Sequence, residues 1–89
     1  MVRMFIRHRV DSYGTWRKGY DAFEDQRPSF GVVGKAVYRD TADPDMVTVT
    51  HDFATLEEAR TLASSDALKQ AMVSAGVIGA PDIWFTNPD

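Results

Sequence analysis

The hydrophobic period of this 89-residue chain switches from two to about 3.6 and back again, twice over. A period of two belongs to a strand with one buried face, and the longer period to a helix with one buried stripe. The order of these switches limits the available topologies more than any single motif does. In residues 2–10, Val2, Met4, Ile6, His8 and Val10 share one face of a strand, while Arg3, Phe5, Arg7 and Arg9 share the other. Asp11 or Ser12 can then cap a helix whose stripe is Tyr13, Trp16, Tyr20 and Phe23. Gly14 and Gly19 weaken that helix, so it depends on burial of the aromatic stripe, and Arg27-Pro28 is expected to end it.

Strands are expected over VVGKAVYR (32–39) and MVTVTHDF (46–53), joined as a hairpin by the turn-forming DTADPD (40–45). Thr55 and Glu58 form a capping box that opens a second helix, with Leu56, Ala59, Leu62 and Ala63 as its stripe. Ser64-Ser65-Asp66 reads as a break and a fresh cap. Leu68, Ala71, Met72 and Ala75 continue as a short helix to Gly76, and DIWFTN (82–87) is the last strand. The order β-α-β-β-α-β predicts an α+β, ferredoxin-like fold for residues 1–89 as one domain. Its four-stranded antiparallel sheet has the order 4-1-3-2, with the helices on one face.

A net charge of −3 argues against nucleic acid as the main partner, and the absence of cysteine removes disulfides, thiolate nucleophiles and cysteine-ligated metals. Arg3 and Arg7 interrupt the first apolar run, and no run is long enough to cross a membrane, so a cytoplasmic protein is expected. GVVG (31–34) lies at a strand rather than at a helix N-terminus, so it makes no phosphate cradle. Arg27 and Arg60 read as solvated or capping charges.

His8 and His51 each interrupt an otherwise apolar strand face. With strands 1 and 3 taken as parallel neighbours, the two imidazoles are expected side by side, facing the helices. If the hairpin pairs Arg39 with Met46, Gly34 falls opposite His51 and leaves room there. A pocket would then have His8 and His51 as candidate catalytic residues, with Tyr13, Trp16, Tyr20, Phe23 and Gly34 lining it. The competing expectation is that both imidazoles are hydrogen-bonded core groups. Two histidines alone make a poor metal site, so no metal is expected.

The other sheet face would carry the arginines of strand 1, Phe5, Lys35, Val37, Arg39, Asp82 and Trp84. That mixture suits a sheet-to-sheet homodimer through Phe5, Arg7, Val37 and Trp84, and the alternative is a solvated face under long side chains.

The segments HDF-xx-LEEAR (51–60), SSDALKQAM-xx-AGV (64–77) and PDIWF (81–85) carry a resemblance. Across roughly residues 4–86 the chain resembles the cyclase- or antibiotic-biosynthesis-monooxygenase-like proteins of the dimeric α/β barrel superfamily. The resemblance implies a ferredoxin-like protomer, sheets packed face to face in a homodimer, and a ligand cavity between each sheet and its helices. That superfamily includes cofactor-free monooxygenases, haem-degrading enzymes, isomerases and polyketide cyclases. The haem degraders' Asn-His-Trp set has no counterpart, because the only asparagine is Asn87 at the end of the last strand. Two functions follow as expectations. One is a cofactor-free cyclase or monooxygenase acting on a small aromatic or polyketide-like molecule, with His8 or His51 as general base. The other is a non-catalytic metabolite-binding or structural dimer.

Overall fold

A computed structural model describes residues 1–89. The elements run β1 (Val2–Val10), α1 (Tyr13–Ala22), β2 (Gly34–Arg39), β3 (Met46–Phe53), α2 (Leu56–Ala63), α3 (Asp66–Ser74) and β4 (Val77–Thr86). The sheet order is β2-β3-β1-β4, every pairing is antiparallel, and the fold is the expected ferredoxin-like α+β arrangement. Met4, Val47, Phe53, Ala59 and Leu62 are fully buried where β1 and β3 meet α2.

The helix ends follow local chemistry. The hydroxyl of Thr55 accepts the Glu58 N–H at 3.2 Å, and that of Ser65 accepts the Leu68 N–H at 3.1 Å. Each satisfies a backbone donor that the helix leaves free, so the break between α2 and α3 is capped on its downstream side. Neither Asp11 nor Ser12 caps α1 with its side chain. Ser12 occupies the cap position, and Asp45, from the β2–β3 loop, takes the Tyr13 N–H at 3.2 Å. Helix α1 stops at Ala22, earlier than Arg27-Pro28 predicts. The chain continues through two short 3-10 turns, Glu24–Gln26 and Pro28–Phe30.

Three expectations are corrected. β1 and β3 are antiparallel, with Met4 opposite His51 and His8 opposite Val47. The β2–β3 hairpin is antiparallel by construction, and β1 runs with β2 through the α1 crossover, so β3 between them must oppose both. His8 and His51 therefore sit toward opposite ends of the sheet rather than side by side. The hairpin register is also one residue from the expected one, pairing Arg39 with Val47, Val37 with Val49 and Gly34 with Asp52. A one-residue slip turns every side chain of a strand to the other face. Val37 thus packs toward the helices, against the core, and leaves the proposed dimer face. Gly34 moves to the helix-free face, where a Cβ would lie 3.0 Å from an Asp52 carboxylate oxygen. Finally, β4 starts at Val77 rather than at residue 82. Its register jumps from Ile78 opposite Arg9 to Asp82 opposite Arg7, so Gly79, Ala80 and Pro81 stand opposite His8 alone. Gly79, with φ of 74°, supplies the left-handed residue such a bulge uses.

Candidate functional site

His8 and His51 both face the helices, and the stripe of α1 lies across them. Ring centroids are 5.7 Å apart for His8 and Trp16, 5.1 Å for Trp16 and Tyr20, and 6.4 Å for Tyr20 and His51. The two imidazoles are thus joined by an aromatic wall. A cavity of about 40 Å³ follows it, between the sheet and the helices. Trp16, Tyr20 and Phe23 line this cavity with both histidines. Leu68, Ala71, Met72 and Ala75, from α3 and its end, form the opposite wall. Tyr13 lies outside the lining, its ring tilted against Trp16 with centroids 5.7 Å apart and covered by the Arg39 guanidinium at 3.8 Å. Gly34 also lies outside it and borders a separate cleft at the sheet edge.

Gly19 sets the closeness of α1 and α3. A Cβ there would stand 2.6 Å from that of Ala75, so only glycine allows this approach. The same contact closes the cavity on one side. At about 40 Å³ it holds a few waters, and a larger occupant must displace part of the α3 wall.

The histidines have different surroundings. Both ring nitrogens of His8 are buried without a partner, an arrangement that natural cores rarely leave. Burial alone holds its pKa down to about 4, so it is neutral near pH 7. His51 is also held down to about 4, first by burial and then by the charges of Arg27 and Lys35. The Arg27 Nε–H donates to His51 Nε2 at 3.2 Å. A guanidinium is permanently protonated, so Nε2 is the acceptor and the ring proton belongs on Nδ1, which is buried with no partner. Burial also raises the phenol of Tyr20 above its ordinary value.

Arg27, expected to be solvated or capping, is instead 3% exposed and lines the cavity. Its guanidinium lies 3.9 Å from the Tyr20 ring centroid, and its other bonds go to the Tyr20 carbonyl at 2.8 Å and Glu24 at 3.0 Å. The spacing held a signal, since 13, 16, 20, 23 and 27 continue one helical stripe. The 3-10 turns after Ala22 keep Arg27 on that inner side. Arg60 is exposed.

The helix-free face pairs its arginines within the protomer. Arg3 meets Asp52 at 2.7 Å, Arg9 meets Asp43 at 2.6 Å and Arg7 lies 3.9 Å from Asp40. Phe5 stacks on Trp84 with centroids 5.1 Å apart, and Trp84 stays 41% exposed.

No protein-family model and no curated protein sequence matches the chain. Solved structures do. The fold is similar to an antibiotic biosynthesis monooxygenase, with a TM-score of 0.74 and 6% identity over 100% of this chain and 99% of the other. It is similar to a conserved protein of Methanosarcina mazei Go1, with a TM-score of 0.76 and 13% identity over 99% and 92%. It is also similar to SnoaB, a cofactor-independent oxygenase from Streptomyces nogalater, with a TM-score of 0.71 and 9% identity over 99% and 92%. At such identities the likeness establishes the fold, which is that of the antibiotic-biosynthesis-monooxygenase-like proteins.

Proposed function

We propose that the protein is a homodimer whose sheet–helix cavity serves as a cofactor-free cyclase- or monooxygenase-like site for an aromatic or polyketide-type molecule. The observation that carries this reading is His8, a buried imidazole with neither nitrogen partnered, at a strand bulge beside Trp16. Leaving a buried polar group unpaired costs roughly 1–3 kcal/mol, which a ligand hydroxyl would recover. Trp16 and Tyr20, their rings tilted 31° to each other, offer aromatic surface for a ligand ring. The fold shared with SnoaB, a cofactor-independent oxygenase, supports the reading.

In this scheme neutral His8 accepts a proton from a phenol or an activated carbon. The resulting anion adds to a carbonyl within the same molecule or reacts with oxygen. Transfer from a phenol of pKa about 10 to a base near 4 is uphill by about 8 kcal/mol. The site therefore depends on stabilising the anion as much as on the base. His51, with its Nε2 lone pair committed to Arg27, acts as a donor through Nδ1–H and not as the base.

One observation favours a binding protein without catalysis, which is the small cavity flanked by two imidazoles of low pKa. His8→Ala and His51→Ala, each in a Trp84→Phe background, separate the readings, because Trp16 is then the only indole. With 1-naphthol as probe, His8→Ala is expected to keep its melting temperature and lose the Trp16 fluorescence response. A loss of several degrees in both variants with an unchanged response would return both histidines to core packing. Oxygen uptake or product formation on phenolic substrates, abolished in His8→Ala, distinguishes the enzyme from the binder.

A further inference from the structure

The charge balance of the cavity points to the class of ligand. Its wall contains the Arg27 cation and two imidazoles, and no carboxylate. Glu24 is the only acid bonded to Arg27. It is half exposed, lies on the outer side, and is shared with the Lys35 ammonium. Two cations therefore divide one screened carboxylate, and the inward side of Arg27 has no counter-charge. Three of the five guanidinium N–H donors are used, toward His51, Glu24 and the Tyr20 carbonyl. A buried cation short of an anion is expensive, and it is strongly favoured by a bound oxyanion.

The histidine beside it adds a second constraint. Because Arg27 fixes the acceptor at His51 Nε2, the ring presents an N–H at Nδ1, buried and unpartnered. This end of the site is therefore built of donors. The unpartnered imidazole of His8 lies beyond Trp16, four positions along β1 from the residue facing His51, or roughly 13 Å. Arg27 also lines the cleft of about 280 Å³ at the sheet edge, together with Lys35 and with Glu24, which pairs with both cations. Arg27 thus borders both the edge cleft and the cavity.

We infer that the site takes a planar organic anion, a carboxylate or an enolate, whose negative oxygen is held by Arg27 while its ring lies on Trp16 and Tyr20. The inference rests on the pocket reading above and specifies the charge of the occupant. Arg27 is the specificity-determining residue.

Benzoate and benzamide share a shape and differ in charge, and the indole N–H resonance of Trp16 reports either one. Wild-type protein is expected to bind benzoate about tenfold more tightly than benzamide. Arg27→Met should bring the two within about threefold by weakening benzoate alone. Arg27→Lys, which keeps a charge if the methionine variant does not fold, should still weaken benzoate about fivefold because the planar fork is lost. Lys35→Met should change the preference by less than about threefold, which separates Arg27 from a general positive potential. Equal binding of the two probes by wild type, or a benzoate preference that survives both Arg27 variants, overturns the anion assignment and leaves the pocket standing. A Trp16 resonance that neither probe moves overturns the pocket itself, and the anion assignment with it.

Discussion

The Nε–H of Arg27 donates to Nε2 of His51 over 3.2 Å, inside the fold, and this bond sets the tautomer of the imidazole. With Nε2 as acceptor, the ring of His51 carries its proton on Nδ1. Nitrogen NMR of the histidine side chains at pH 7 should show His51 in the Nδ1–H form. Arg27→Met should release that preference and destabilise the fold by about 2–4 kcal/mol, since the Tyr20 carbonyl and His51 both lose a donor. An Nε2–H tautomer in the wild-type protein would contradict the bond.

The two low histidine pKa values make a stability prediction with a definite sign. Both imidazoles titrate near 6.5 when unfolded and near 4 when folded. Between those values the unfolded chain binds more protons, so stability is full above about pH 6.5 and falls as the pH drops toward 4. Each histidine should remove about 2 kcal/mol between pH 7 and pH 5. Glu24 and Asp43, held low mainly by Lys35 and Arg9 respectively, lose their contributions only below the ordinary carboxylate values of 4.5 and 3.8. Urea unfolding at pH 7, 6 and 5 therefore isolates the histidines. His8→Gln should roughly halve the pH dependence, and a flat wild-type profile would show that the imidazoles protonate in place.

Strand parity made much of the site legible. The alternation in residues 2–10 puts His8 on the helix side, and the same parity in MVTVTHDF puts His51 there. The aromatic spacing of α1 lays Trp16 and Tyr20 across them. What parity cannot supply is strand direction and register. The sense of β3 against β1 follows from the connections on either side of it, which separates the imidazoles. The β2 register depends on how many residues the DTADPD loop leaves unpaired, and a slip of one moves Val37, Lys35 and Arg39 together. The burial of Arg27 was legible in its spacing but obscured by the usual preference of arginine for solvent.

Helix packing beside the cavity depends on one missing methyl group. A Cβ on Gly19 would sit 2.6 Å from the Cβ of Ala75, and both positions lie in packed surroundings. Gly19→Ala should lose about 1–3 kcal/mol in urea titration by forcing α1 and α3 apart, despite the better helix propensity of alanine. Ala75→Gly in the same chain should recover part of that loss, measured against the Ala75→Gly single variant as a double-mutant cycle. Independent effects at the two positions would mean that the helices do not meet there.

The stacked pair of Phe5 and Trp84 sets the last prediction, which concerns the face that the helices leave uncovered. The two rings are parallel to within 1° and Trp84 is 41% exposed, while Tyr38 adds further exposed aromatic surface on the same face. The neighbouring arginines have their carboxylates within the protomer, at Asp52, Asp40 and Asp43, so a second copy need not supply counter-charges. Such a face has an apolar centre and a polar rim whose arginines are paired, a composition that suits a stable protein interface. Light scattering should give twice the chain mass for the wild-type protein. Trp84→Arg should give the monomer, because it would set a guanidinium in place of the apolar ring at the centre of the contact. Val37→Arg is a contrasting control. It places a charge on the helix side of β2, so it should lower stability without specifically splitting the dimer. A Trp84→Arg protein that keeps the dimer mass, or a wild-type protein already of monomer mass, would remove this face as the contact.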